Sequence, residues 1–438
     1  MSTSSAPPGL PGLVPEYYQL VQAAVYHADG LWGEATFDLY VKDAPAGYGY
    51  LVAAGIEPAI EALLGTRFSP QTIAWLRTQP HFASIGARFF EDLAELRFEG
   101  DVLAVPEGTV VFPGEPLLRL SAPLPQAGLY EAGLIQLVSQ ATGIATQASR
   151  LVSASRGRPI LDFGSRRTAG PVAAWHAARA AWIGGASGTT NSGAAASLGI
   201  PVVGVMSDSM VTAYGSSEAA WAALRQHAPA ALELNLPTGP VAEAVRRLRA
   251  AAPDLRTVRL DDSDLVGAAA GLRRALDGQG MKAARILGSG GLDELAVEQV
   301  VRAGAPVDEL GIGGALSASV PPAMSYRMAE LVRGIDPAPT SGRWAALWPG
   351  RKQVLRFRDH DLICEEREAE VLAAGDGQIL LQPWVLGGER VRAPEALVDI
   401  RARRADQVAA LPADVRRVAE PVTWPVVASP RLRTMRGS

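Results

Sequence analysis

Cysteine is nearly absent. Cys364 is the single one in 438 residues, which excludes an internal disulfide and any multi-cysteine zinc site. Lysine is almost as scarce: Lys42, Lys282 and Lys352 are the only three among 41 basic residues. There is no basic surplus either. The formal net charge is −4, so a nucleic-acid partner is not expected. The five histidines (His27, His81, His176, His227 and His360) are scattered, and no histidine-based metal site is expected. No apolar run is long enough to cross a bilayer. The opening stretch, MSTSSAPPGLPGLVP, lacks both the basic start and the apolar centre of a secretory signal, and reads as a mobile tail over residues 1–15. These absences fit a cytoplasmic protein, with no membrane and no nucleic acid involved. What remains is an ordinary globular composition, 48% hydrophobic and 20% charged, with length enough for two or three domains.

Residues 16–128 read as an N-terminal α/β part: a helix, a strand over Ala35–Val41, a helix from about Pro58, then the run from Phe98 to Pro123. That run alternates apolar strands with Glu-Gly and Pro-Gly turns, the pattern of a small antiparallel β unit. Apolar residues at three-to-four spacing (Leu134, Leu137, Val138, Ala141) predict a long helix over Leu129–Ala154. From Pro159, short apolar strands alternate with Ala/Arg-rich helices. The strands expected are Ile160–Phe163, Val202–Met206, Ala231–Leu236, Thr257–Leu260, Ala284–Leu287 and Glu309–Ile312. Such alternation indicates a parallel α/β domain over 129–335, and a barrel is the economical closure. Residues 336–438 read as a β-rich segment packing back on the N-terminal part and ending, after Ala419, in an extended arm.

The chemistry concentrates where expected strands end. Phe163-Gly164 is followed by Arg166 and Arg167, and two guanidiniums at the carboxyl end of a parallel strand suit a phosphate or carboxylate. The bland alternative is a solvated arginine pair. Gly184, Gly185 and Gly188 lead into Thr189-Thr190-Asn191. The run VRLDDSDL places Arg259, Asp261, Asp262 and Asp264 at another strand end, where acids can hold ribose hydroxyls or a phosphate-bound Mg²⁺, or cap a helix. Ser289-Gly290-Gly291 and, one unit later, Gly313-Gly314 are glycine turns between strand and helix, of the kind that cradle phosphate on backbone N–H groups.

Together these runs resemble the nicotinate phosphoribosyltransferase family, from about Tyr17 to Glu368. The resemblance implies an irregular parallel α/β barrel flanked by a split α/β N-terminal domain with an antiparallel β unit. It implies transfer of a phosphoribosyl group from phosphoribosyl diphosphate to nicotinate or a similar pyridine acid, in a homodimer, with Mg²⁺ accompanying the diphosphate. By the same resemblance Phe163 stacks on the pyridine ring, and Tyr18 forms the second face of the sandwich across the dimer interface or else is core. Arg166 and Arg167 stabilise the leaving diphosphate. Asp261 holds the ribose, and Thr189 and Arg259 are substrate-binding. Ser289, Gly290, Gly291, Gly313 and Gly314 grip the 5′-phosphate, and Lys352 in PGRKQVLR reaches the diphosphate or sits in a solvated basic turn. Three departures stand out. Asp208 occupies the place of the family's reactive histidine, NLPTG (Asn235–Gly239) replaces a run with two carboxylates, and Gly314 replaces a common threonine. Asp208 could order Mg²⁺ or ribose, or belong to a helix start, and coupling to ATP is left open. Another pyridine acceptor (nicotinamide, quinolinate), or a non-catalytic paralogue that keeps the phosphate loops, are the competing readings.

Overall fold

The computed structural model describes residues 12–204, 206–229, 233–237, 239–333, 336–340 and 348–437. The chain divides into two compact units: Met1–Gly143 with Val320–Ser438, and Ile144–Ser319.

The first unit is built on a seven-stranded antiparallel sheet. Its order is Asp336–Pro339, Ala323–Arg333, Glu34–Asp43, Pro116–Pro123, Asp101–Ala104, Gln382–Leu386, Glu389–Arg390. Leu39, Val102, Leu118, Leu120 and Trp384 bury one core together with Ile56, Ile60 and Leu63 of the helix Ile56–Gly65. A four-stranded sheet follows from Gln378–Ile379, Lys352–Arg356, Asp361–Glu365 and Val426–Ala428. The expected split is therefore present, with three differences. Residues 323–333, expected with the barrel, pair instead along Glu34–Asp43, because Tyr326 and Ala329 are apolar positions that this sheet buries. The expected C-terminal arm is a strand, Val426–Ala428, and a helix, Pro430–Gly437, anchored by fully buried Leu432. Most of the expected mobile tail lies outside the described residues, but Leu13 is buried and its N–H donates to Thr66 Oγ1 at 3.0 Å.

The second unit holds a curled, six-stranded parallel sheet. Its order is Gly188–Thr189, Ile160–Asp162, Glu309–Ile312, Arg285–Ser289, Thr257–Asp261, Glu233–Asn235. The last strand of this unit along the chain pairs with its first, Leu310 to Ile160 through Ile312 to Asp162. That is the topological mark of a barrel closing, rather than of an open sheet growing outward. Ile286, Leu287 and Gly288 are buried in succession, as expected of a parallel strand covered on both faces. Of the strand expected over Val202–Met206, in which Val205 lies outside the described residues, the described residues form one bridge, Val202 to Thr189, and the ladder runs through Gly188–Thr189. The reason is local. A Cβ on Gly188 would lie 2.7 Å from Val203 and 2.9 Å from the Pro201 carbonyl, so glycine alone lets these segments lie side by side. The expected Ala231–Leu236 strand is described only from Glu233, where it runs to Asn235. Glu233 accepts a hydrogen bond from the Gly204 N–H, which ties it to the segment after Val202.

Candidate active site

Parallel strands deliver their carboxyl ends to one mouth, and there a cavity of about 380 Å³ is lined by Phe163, Ser165, Arg166, Thr190, Gly204, Met206, Ser207 and Arg259. Three residues singled out from the sequence, Phe163, Arg166 and Arg259, meet in it.

The Phe163 turn is held from below by Asp162. This carboxylate is only 3% exposed and accepts from Thr189 Oγ1 at 2.7 Å and from the Gly164 N–H at 2.8 Å. Burial pushes its pKa up, against the lowering effect of those two donors. Thr189 also accepts from the Asn191 N–H at 3.1 Å, so one acid pins the ends of two neighbouring strands. Phe163 continues the ladder through its N–H to Ile312 O at 2.8 Å, and its ring folds over Gly311. The Arg259 guanidinium lies 5.3 Å from the centre of that ring, within cation–π range. Arg166 and Arg167 project from the short helical turn Ser165–Arg167, exposed and without an ion-pair partner among the described residues. Arg166 lines the cavity and Arg167 does not.

Across the mouth, Arg259, Asp261 and Ser289 form one network. Arg259 donates to Asp261 Oδ2 at 2.8 Å and to Ser289 Oγ at 3.1 Å, and Ser289 Oγ donates to Asp261 Oδ2 at 3.0 Å. Register explains the meeting, since Ser289 pairs directly with Asp261. Asp262 and Asp264 serve the backbone: Asp262 accepts from the Asp264 N–H, and Asp264 caps the helix Leu265–Gly278.

Several expected roles need correction. Thr189 is buried with its hydroxyl committed to Asp162, and Thr190 is the threonine that faces the cavity. Ser289 spends its hydroxyl on Asp261. Gly290, at φ +121°, is glycine because a Cβ would come 2.7 Å from the Asp262 carbonyl oxygen. Gly164 is glycine because Ser317 lies 2.6 Å from its would-be Cβ, so the close neighbour is protein and not ligand. Gly291 and Gly314 differ: a Cβ on either meets nothing within 4 Å, and on Gly313 only Phe163 O at 4.0 Å. Beside those three there is open space in place of protein. Lys352 is 2% exposed, pairs with Asp38 at 2.6 Å and donates to the carbonyls of Trp348 and Gly350 at 2.6 Å each, so its ammonium is buried among protein partners and is not displayed to diphosphate. Burial lowers its pKa and raises that of Asp38. Tyr18 is 46% exposed and donates to Glu131 at 3.0 Å, which rules out core. Its neighbour Tyr17 does the packing, against Trp75, His81 and Phe82. Asp208 is the first residue of the helix Asp208–Tyr214 and accepts from Asn235 Nδ2 at 3.4 Å, so two of the departures meet each other.

Asp162, Gly311, Thr190 and Ser207 escape the sequence reading. An acid inside the apolar strand Ile-Leu-Asp-Phe was a signal for the first, because a charge is placed in a strand core only where donors await it.

A parallel barrel whose carboxyl-end mouth combines an aromatic face, one guanidinium without an ion-pair partner among the described residues, a second held by an acid, and open glycine turns defines an α/β-barrel enzyme built to receive a flat ring beside a phosphorylated partner. Comparison with known proteins agrees. The model of the nicotinate phosphoribosyltransferase N-terminal domain matches residues 13–139, that of its C-terminal domain matches 356–436, and that of the quinolinate phosphoribosyl transferase C-terminal domain matches 144–324. The nicotinate phosphoribosyltransferase pncB2 of Mycobacterium tuberculosis is 35% identical over 431 residues, covering 96% of this chain and 92% of that protein. The Bacillus subtilis nicotinate phosphoribosyltransferase is 31% identical over 385 residues, covering 83% and 76%. The crystal structure of human nicotinic acid phosphoribosyltransferase superposes with a TM-score of 0.83 at 25% identity, covering 97% of this chain and 99% of that one. This chain belongs to the nicotinate phosphoribosyltransferase family.

Proposed function

We propose that the chain joins nicotinate to phosphoribosyl diphosphate, giving nicotinate mononucleotide and diphosphate, a step of NAD biosynthesis or salvage. The observation that carries the reading is the mouth itself, where Phe163 and Arg166 share one cavity with Arg259. The relatives' names supply the acceptor.

In the reaction the pyridine nitrogen lone pair forms the bond to ribose C1′ while the C1′–oxygen bond breaks and its electron pair leaves with diphosphate. No general base is needed, because that nitrogen carries no proton at neutral pH. Positive charge builds on the ribose and negative charge on the leaving group, so positioning and charge stabilisation supply the rate. Phe163 gives the ring a flat floor and Arg166 faces the anion. Arg167, one residue on, adds charge from outside the cavity. Asp261 keeps one oxygen, Oδ1, free of partners among the described residues and is exposed enough to meet a ribose hydroxyl. The backbone N–H groups of Gly291 and Gly314 are without acceptors among the described residues and suit the 5′-phosphate.

Among the described residues no group of three or more histidine, cysteine or acidic side chains could hold a metal. Mg²⁺ ordinarily takes one or two carboxylates, water and substrate phosphates, so a fit exists only for an ion arriving with diphosphate and met by Asp261. Such an ion would neutralise leaving-group charge. Exposed Tyr18 supports a homodimer in which its ring completes the partner's aromatic sandwich. Among the described residues no helix is long and apolar enough to cross a membrane.

The test is turnover with a panel of acceptors. Nicotinate should give its mononucleotide and diphosphate one to one, with nicotinamide and quinolinate slower by a large factor. Preference for either competitor would replace the acceptor, and no turnover with any would favour the non-catalytic reading.

A further inference from the structure

A second cavity in the barrel unit lies at the opposite end of the same strands. It measures about 960 Å³ and is lined by the segments that precede Ile160, Arg285 and Glu309: Arg156–Pro159, Lys282 with Arg285, and Gly304–Asp308, joined by Arg273 and Asp277. The strand Arg285–Ser289 spans five residues, which at ~3.3 Å each separates this opening from the Ser289 turn by roughly 15 Å. It is a separate place from the mouth.

Its charge is one-sided. Five cationic side chains, Arg156, Arg158, Arg273, Lys282 and Arg285, face two acids, Asp277 and Asp308. Both acids are already engaged. Asp277 pairs with Arg273 at 2.7 Å, and Asp308 accepts from the Ile286 N–H at 2.7 Å. Arg285 is answered by Glu309 at 2.6 Å. Arg156 and Lys282 are exposed and have no partner among the described residues, and Arg158 uses only its Nε, on Val307 O at 2.9 Å, leaving both terminal nitrogens. Three cationic groups with unspent donors therefore share one cavity. Arg156 adds a backbone observation. At φ +47° it sits in the left-handed region that glycine takes at the end of a helix, here the end of Glu131–Ser155. Arginine at that position carries a backbone strain that glycine would avoid.

We propose that this cavity is an oligophosphate site, recognising two or more linked phosphates through Arg156, Arg158 and Lys282, and distinct from the phosphoribosyl site. Guanidinium forks and a flexible ammonium suit adjacent phosphoryl groups, and the cavity has room for several. The ligand is either a free inorganic oligophosphate or the phosphate tail of a nucleotide.

The test titrates inorganic triphosphate, and separately ATP, into the full chain by calorimetry at physiological salt, with and without Arg156→Gly/Lys282→Gln. Wild type should show an event that the double variant weakens at least tenfold. Basal phosphoribosyl transfer should be unchanged in the variant, and its melting temperature should not fall, since glycine relieves the positive φ. Events shared by triphosphate and ATP assign the phosphate chain; an event with ATP alone assigns the nucleotide. An isotherm identical in both proteins, or an event that disappears on going from low to physiological salt, shows a solvated basic face and overturns the proposal.

Discussion

Gly311→Ala isolates the claim that Phe163 is the floor for the acceptor ring. Gly311 pairs with Leu161 across the barrel seam, and the Phe163 ring folds over its Cα. A methyl there would stand 2.5 Å from Cε2 and 2.8 Å from Cδ2 of the ring. Ordinary carbon contacts begin near 3.4 Å, so the ring must retreat by about 1 Å. The backbone cannot follow easily, because the Phe163 N–H is fixed on Ile312 O at 2.8 Å and the preceding residue, Asp162, is held by Thr189 Oγ1 at 2.7 Å and the Gly164 N–H at 2.8 Å. The ring therefore tilts into the cavity. Overpacking of this kind costs about 1–3 kcal/mol of stability, which leaves the fold standing. A 1 Å displacement of a positioning group costs on the order of 100-fold in rate. Steady-state kinetics should show kcat/KM for nicotinate down by that factor while KM for phosphoribosyl diphosphate stays within about threefold. Thermal melting reports the accompanying loss of a few degrees. If kinetics stay at the wild-type level while melting drops, Phe163 packs the barrel and does not position substrate. Equal losses for both substrates would point to a collapsed mouth.

Gly314→Ala should leave the melting temperature unchanged, because its Cβ meets nothing within 4 Å, yet raise KM for the phosphoribosyl donor at least tenfold; Gly290→Ala should instead lower the melting temperature, pressed as it is against Asp262. Asp162→Asn carries a pH signature. Since burial raises the Asp162 pKa, the wild-type carboxylate favours folding most below the ordinary aspartate range and loses that contribution as pH rises through its raised value. The melting difference, variant minus wild type, should therefore grow more positive from about pH 4 upward, and a difference flat with pH would show that the acid is not shifted. ATP should neither stimulate turnover nor leave a phosphorylated protein detectable by intact mass, because Asp208 is bound to Asn235 at a helix start and no imidazole stands there. A phosphoprotein that disappears in Asp208→Asn would reverse that expectation.

Much of the architecture was legible because parallel strands ending in glycine are local signals. Ile160, Thr257 and Glu309 each start a strand where periodicity places one. Gly188–Thr189 was hidden because two residues carry no period, and their pairing is decided by Val203 and Pro201 across the ladder. The site was half legible. Phe163, Arg166 and Arg259 follow from strand ends, whereas choosing Thr190 over Thr189 depends on which one faces Asp162, a matter of register. Glycine misled at Gly290, where the tight neighbour is the chain itself. Lys352 misled for a similar reason: nothing local reveals that Asp38, over three hundred positions earlier, waits beneath it.

The most direct measurement is the single-turnover rate of phosphoribosyl transfer to nicotinate in wild type and in Arg166→Ala, with melting recorded on the same samples. Arg166 is exposed, unpaired among the described residues and part of the cavity lining, so its removal should not change melting. Loss of one charge-stabilising donor at a leaving group is worth roughly 10²–10³ in rate. The account predicts a fall of at least that size. A rate within a few-fold of wild type, at unchanged melting, would place the chemistry somewhere other than this mouth.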